Sequence, residues 1–286
     1  MKKIDLHLHV RLNQGTDSEK PFISCAKNML SHMQDLGIQK GVLMSGGEND
    51  CGFRSNEEVK TICQIYPDSF AWMCNLDFKN PETVYERLKK CKEEGAIGIG
   101  ELMFNVRIDH PFLKALFSAA EQLNLPVTIH MSSEEGYKYG IVDEPGLPLL
   151  EDLLKRHPKL KILGHSQVFW IEISGDAPQD KELRYKTGKG PVLPGGRIPE
   201  LFENYPNLYG DLSANSAGKA IMRDEEFGLQ FLEKYADRLF FATDMLTDDM
   251  VYPLGGWLDE QVSCGKLSKE AYEKICWKNA KRVFGL

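Results

Sequence analysis

Six side chains in this sequence have the types and the spacing to hold a metal ion. His7 and His9 are separated by one residue, so on a β-strand both imidazoles point to the same face. That spacing lets two nitrogens reach one ion from a rigid element. Val127-Thr128-Ile129-His130 and Ile162-Leu163-Gly164-His165 are apolar runs that each end in a histidine. Ile97-Gly98-Ile99-Gly100-Glu101 ends in a glutamate, and Leu239-Phe240-Phe241-Ala242-Thr243-Asp244 runs into an aspartate. Four imidazoles and two carboxylates, with no thiolate among them, suit zinc and also manganese or iron. Buried without partners these groups would be costly, and a divalent ion supplies the compensating charge. Plainer readings exist for single residues. The His7/His9 pair also fits two histidines satisfied by backbone groups. Glu101 also fits an ion pair with Arg107, and Asp244 also fits a cap on the following turn. Gly98 and Gly100 leave room inside the strand they interrupt. His32, His110 and His157 lie in or beside helical stretches and receive no role.

Such residues converge only if the strands that carry them end at one rim. Eight β-rich runs recur along the chain: Ile4–His9, Gly41–Ser45, Phe70–Asn75, Ala96–Glu101, Val127–His130, Lys161–His165, Leu208–Asp211 and Leu239–Asp244. Amphipathic stretches separate them. Asn80 caps a helix that opens with Pro81 and Glu82, carries Val84, Leu88 and Cys91 on one face and stops at Gly95. Asp109 and Pro111 open another, and a last one runs from about Ser268 to Phe284. An open doubly wound sheet shares this alternation, but the count of eight favours a single (β/α)8 barrel, in which the C-terminal strand ends meet at the catalytic rim. Leu6 and Leu8 are then expected to face the surrounding helices. The chain is expected to form one domain over residues 1–286. A long loop insertion at about 167–200, rich in glycine and proline, is read as a lid or wall over the site.

Composition narrows the classes. The net charge is −7, from 35 basic and 42 acidic residues, which disfavours a nucleic-acid partner. No apolar run approaches the roughly 18–20 residues of a transmembrane helix, and the acid and histidines after Lys2 and Lys3 argue against a secretory signal. The cysteines (Cys25, Cys51, Cys63, Cys74, Cys91, Cys264 and Cys276) number seven, with no CxxC pair. They are read as free thiols in a reducing cytoplasm.

Ile4-Asp5-Leu6-His7-Leu8-His9, Glu101, His130, His165, Phe241-Ala242-Thr243-Asp244 and the closing Ile275…Asn279-Ala280-Lys281-Arg282-Val283-Phe284 together resemble the metal-dependent amidohydrolase superfamily. Phe53-Arg54-Ser55-Asn56-Glu57, Tyr66-Pro67-Asp68-Ser69-Phe70 and Tyr205-Pro206-Asn207-Leu208-Tyr209-Gly210-Asp211-Leu212-Ser213 are similar to the branch that holds aminocarboxymuconate-semialdehyde decarboxylase, resorcylate decarboxylases and dicarboxylate lactonases. The resemblance covers essentially the whole chain and implies a distorted (β/α)8 barrel. It implies that His7, His9, His130 and Asp244 hold one ion, with His165 polarising substrate or relaying a proton. Glu101 departs from members with a carboxylated lysine on strand four. It is similar to the TatD-type hydrolases, which implies Glu101 and His165 as ligands of a second ion.

The activity expected on these grounds is hydrolysis of a small carboxylic lactone, ester or amide, with Asp244 taking the proton of a water whose pKa zinc lowers toward about 7. Arg54, Arg107 and Arg197 sit in predicted rim loops and could bind the substrate carboxylate, although each also suits a surface ion pair. Tyr137 and Trp170, in loops after strands five and six, could wall the pocket, although packing that shields them from solvent is the plainer reading of both. A non-oxidative decarboxylase using the same residues is the first alternative. A two-metal phosphodiesterase is the second, and a non-catalytic scaffold is the third. Phe169 and Trp257, if exposed on loops, would suit a homodimer.

Overall fold

The computed structural model describes residues 2–13, 22–49 and 54–286; Cys51 and Phe53 lie outside them. Nine strands are present among these residues: β1 (Lys3–Leu8), β2 (Ile38–Met44), β3 (Phe70–Met73), β4 (Ile99–Leu102), β5 (Val127–Ser132), β6 (Ile141–Val142), β7 (Ile162–His165), β8 (Leu208–Asp211) and β9 (Leu239–Phe240). All pair in parallel, in two arcs: β1-β2-β3, and β4-β5-β7-β8-β9 with the short β6 beside β5. Single bridges close both gaps, Cys74 to Ile99 and Leu8 to Met245. The Gly100 amide donates to the Cys74 carbonyl at 2.9 Å and the Leu6 amide to the Phe241 carbonyl at 3.1 Å. The result is a distorted (β/α)8 barrel, with β6 as an accessory strand outside the ring of eight.

The barrel interior is filled by Ile4, Leu6, Val42, Met44, Met73, Leu163, Tyr209 and Phe240, and Ala280 and Phe284 of the C-terminal helix plug its base. The expectation that Leu6 faces the helices is overturned. The β1–β2 register shifts between Asp5 and Leu8, and such a bulge re-aims side chains. Leu6 therefore points inward below the site and Leu8 outward, while His7 and His9 both reach the rim.

The expected strand Leu239–Asp244 is a paired strand only at Leu239–Phe240. Beyond it, the Phe241 amide donates to the Ile275 carbonyl at 2.9 Å instead of to a neighbouring strand. The same bond diverts the helix expected over 268–284. That segment is an α-helix at Lys269–Glu273, a π-turn at Lys274–Lys278 and an α-helix at Asn279–Phe284. π-turns arise where a carbonyl leaves the i→i−4 ladder. Asn279 then donates to the Ala236 and Leu239 carbonyls at 2.6 and 2.9 Å, tying the helix to the start of β9.

Asn80 caps its turn as expected, accepting from the Glu82 amide at 3.0 Å. The Pro111–Leu123 helix is capped by His110, whose Nδ1 accepts from the Phe112 amide at 3.2 Å. Asp109, expected in that place, instead receives the Arg107 guanidinium at 3.2 Å.

Residues 167–200 contain no strand. They form a short helix (Gln167–Trp170), two 3-10 turns (Ile171–Ile173 and Leu183–Tyr185) and the opening of the Arg197–Asn204 helix. A buried ion pair, Arg184 to Glu172 at 2.5 Å, holds the segment down, and Glu172 also accepts from the Gly146 amide at 2.9 Å. Trp170 does not wall the pocket: it is fully buried and its indole donates to the Asp211 carbonyl at 3.0 Å. Phe169 is fully buried too, against Gly164, so it offers no surface to a partner chain, while Trp257 is half-buried.

A Cβ on Gly164 would meet the Phe169 ring. Gly164→Ala should therefore cost about 1–3 kcal/mol in urea unfolding, the usual range for overpacking. A loss below about 0.5 kcal/mol would show that the ring yields without strain.

Candidate metal centre

His7 is completely buried. Its Nδ1 donates to Asp211 Oδ2 at 2.7 Å, which aims Nε2 into the rim. His7 Nε2 is buried and makes no hydrogen bond among the described residues. Two carboxylates flank it, with Glu101 Oε2 and Asp244 Oδ1 each 3.5 Å away. The same two oxygens stand 3.7 and 3.3 Å from His9 Nε2. Each of the two imidazole nitrogens thus stands 3.3–3.7 Å from each of the two carboxylate oxygens. A tetrahedron with metal bonds of about 2.0–2.2 Å has edges of about 3.3–3.6 Å. The donor set and the orphaned Nε2 fit a divalent ion. Two overlapping groups offer ligand atoms close enough to share one: His7, His9 and Asp244, and His7, Glu101 and His165.

His130 reaches the cluster through Glu101, its Nδ1 donating to Oε1 at 2.5 Å. His165 Nε2 lies 3.3 Å from the same oxygen and 3.8 Å from Asp244 Oδ2. Ser213 Oγ is hydrogen-bonded to His165 Nδ1 at 2.8 Å.

One buried side chain fixes the loop that delivers Asp244. Asp5 accepts from the His7 amide at 3.1 Å, the Thr243 amide at 2.9 Å and the Thr243 hydroxyl at 2.5 Å. The Asp244 amide donates to the His7 carbonyl at 2.8 Å. Asp244 is held in the left-handed region at φ 61°, a strain of about 1–3 kcal/mol that such a staple must hold.

The electrostatics of the cluster are those of groups forced out of water. Burial pushes the Glu101 carboxyl up, but the His130 and His7 imidazoles outweigh it and hold it well below its ordinary value. Burial lowers His7, yet Asp211, Asp244 and Glu101 raise it well above the usual imidazole range. Burial raises Asp244, and His7 and His9 bring it below the ordinary value. Burial keeps His165 low despite Glu101 and Asp211. Without an ion, protons on imidazoles must balance the carboxylates; a divalent cation takes their place.

All six residues singled out for metal binding therefore meet at one rim. The proposed ion pair of Glu101 with Arg107 is absent: Arg107 engages Asp109 and Glu144 at 3.2 and 3.1 Å. Arg197 engages Glu151 and Glu200 at 2.5 and 2.7 Å, and Arg54 stands 3.6 Å from Glu58. A cavity of about 400 Å³ opens in front of His130, His165 and Asp244, and none of these arginines lines it. Tyr137 is not a wall residue either; Tyr139, Tyr185 and Tyr252 are. Sequence reasoning overlooked Asp211, although it ends an apolar strand just as Asp244 does. It also overlooked Asp5 and the tyrosines, whose loop carries no periodic signal.

The chain belongs to the amidohydrolase family, whose sequence model matches residues 4–286. It is an enzyme of the metal-dependent amidohydrolase superfamily. No curated protein sequence matches it. A TIM-barrel protein from Bordetella bronchiseptica is similar in structure, with a TM-score of 0.64 at 19% identity over 100% of this chain and 99% of that one. So is 5-carboxyvanillate decarboxylase from Novosphingobium aromaticivorans, in complex with manganese and 4-hydroxy-3-methoxy-5-nitrobenzoic acid: TM-score 0.65, 17% identity, 100% and 96% covered. A probable 2-pyrone-4,6-dicarboxylic acid hydrolase from Acinetobacter baumannii, with citric acid bound, gives 0.59 at 15% identity over 100% of both chains. At these identities the likeness is one of fold. Among the described residues no helix is long and apolar enough to cross a membrane.

Carboxylates behind metal-ligating histidines typically contribute 10–100-fold in metal affinity. Asp211→Asn should weaken divalent-ion binding by about that factor in competition with a chromophoric chelator. Unchanged affinity would remove Asp211 from the site's support.

Proposed function

We propose that this protein is a metal-dependent hydrolase of small carboxylic lactones, esters or amides, with one zinc ion held by His7, His9, Glu101 and Asp244. The observation that carries the reading is the meeting of His9, Glu101 and Asp244 around the orphaned His7 Nε2. When bound, the ion supplies Lewis-acid activation of water and of a carbonyl. The two carboxylates divide the remaining work by exposure. Glu101 is 4% exposed and sealed under His130, which suits a holding role, whereas Asp244 is 25% exposed and lines the cavity. Asp244 Oδ2 accepts the proton of the attacking water and returns it to the leaving group. His165, fixed through Nδ1 by Ser213, presents Nε2 to the same space and orients the carbonyl oxygen. The insertion's Tyr185 helps exclude water from this end of the barrel.

Decarboxylation is the second reading, favoured by the tyrosine walls, which suit an aromatic acid. The decarboxylase and the pyrone dicarboxylate hydrolase of the same fold both act on acids by name.

Removing metal with a chelator should abolish turnover of a lactone, ester and amide panel, and zinc should restore it. Full activity in the stripped protein would refute the proposal. Carbon dioxide release from aromatic acids with no lactone turnover would transfer the assignment to the lyase. Elemental analysis should read one ion per chain; two would favour a two-metal phosphodiesterase. Asp244→Asn should lower kcat by about 10²–10⁴-fold with the thermal transition retained, the range for losing a general base. Unchanged kcat would remove Asp244 from the proton path.

A further inference from the structure

The cavity in front of the centre is small, at about 400 Å³, near the low end of the roughly 300–1,000 Å³ usual for ligand sites. Its inner end is made by His130, His165 and Asp244, and Lys138, Tyr139 and Tyr185 line its wall. Among the described residues, Lys138 is the one lysine or arginine that lines it. Arg107 and Arg197, expected to serve a substrate carboxylate, are spent on protein carboxylates.

Lys138 forms no ion pair among the described residues. It is placed by aromatic rings instead, with its ammonium 4.1 Å above the centre of the Tyr185 ring and 5.5 Å from that of Tyr137. The Tyr185 ring is itself fixed: its hydroxyl is hydrogen-bonded to Ser132 Oγ at 2.8 Å and accepts from the Ser133 amide at 3.2 Å. Tyr185 belongs to the long insertion and Ser132 to the end of β5, so the insertion's docking positions the cation. A cation–π contact orients an ammonium but leaves its charge unmatched by any anion. The Tyr139 ring, which also lines the cavity, packs on His130 with centroids 4.5 Å apart and gives the cavity a flat side.

We propose that Lys138 determines specificity by binding an anionic group of the substrate remote from the reacting bond, so that preferred substrates are planar acids carrying a carboxylate in addition to the group that reacts. This rests on the reading of the cavity as the substrate site of the metal centre.

The test is binding of unreactive probes to the metal-loaded protein by titration calorimetry. Benzene-1,3-dicarboxylate offers a second carboxylate for Lys138, and benzoate only one in all. A charge-assisted hydrogen bond of about 1.5–3 kcal/mol corresponds to about 10–100-fold in affinity. The wild type should therefore prefer the diacid by at least about tenfold, beyond the factor of about two from its second carboxylate. Lys138→Met should reduce that preference to about threefold or less, and Lys138→Arg should retain most of it. The lysine is exposed, so all three proteins should share one thermal transition. No preference in the wild type, or one that survives Lys138→Met, would overturn the proposal. The measurement needs no turnover. Diacid preference in a protein that hydrolyses nothing would refute the hydrolase and leave Lys138 standing. Lactone hydrolysis with the preference unchanged by Lys138→Met would refute Lys138 alone.

Discussion

The constraint on which the structure depends is the removal of charge from water at one end of a barrel. Glu101, Asp211 and His7 are almost wholly buried, and Asp244, His9, His130 and His165 crowd against them. Such groups are tolerated only when each carboxylate has a cation or a hydrogen bond to answer it. Part of the answer is built from the chain: Asp211 on His7, Ser213 on His165, His130 on Glu101. The part left unanswered, His7 Nε2 between two carboxylate oxygens, is where the proposed divalent ion would sit.

The rigidity needed to hold it comes from deep in the barrel. Asp5 joins β1 to the segment after β9 through two hydrogen bonds from Thr243 and also accepts from the His7 amide of its own strand, and so sets His7 and Asp244 together. The C-terminal helix reaches the same segment from outside through Ile275 and Asn279. The price is two irregularities, a two-residue β9 and a π-turn, both caused by backbone groups that bond to one another and leave their own elements. The insertion contributes from the opposite wall, where the buried Arg184–Glu172 pair and Trp170 anchor it and Tyr185 reaches the site.

Much of this was legible in the sequence, for a definable reason. A histidine or acid at the end of an apolar run is a strong signal, because it breaks a hydrophobic pattern where a barrel strand meets its rim. His7, His9, Glu101, His130, His165 and Asp244 all carried it, and the eight runs gave the barrel. What escaped was set by tertiary contact. The bulge that turns Leu6 inward leaves no trace in a run of alternating residues. The arginines sat in the right loops, but whether a guanidinium faces a cavity or a neighbouring glutamate depends on partners distant in the chain, as with Arg107–Glu144 and Arg197–Glu151. Trp170 and Phe169 looked like loop aromatics and proved to be core, because Gly164 and Gly210 make room for them. Asp211 had the same signal as Asp244 and was passed over as strand rather than site.

The most direct measurement is anomalous diffraction at the zinc edge from crystals grown with the metal-replete protein. The expected result is one peak about 2.0–2.2 Å from His7 Nε2, His9 Nε2 and an oxygen each of Glu101 and Asp244. A zinc-replete crystal with no peak between those four residues, or with the ion held elsewhere on the chain, would contradict the central claim.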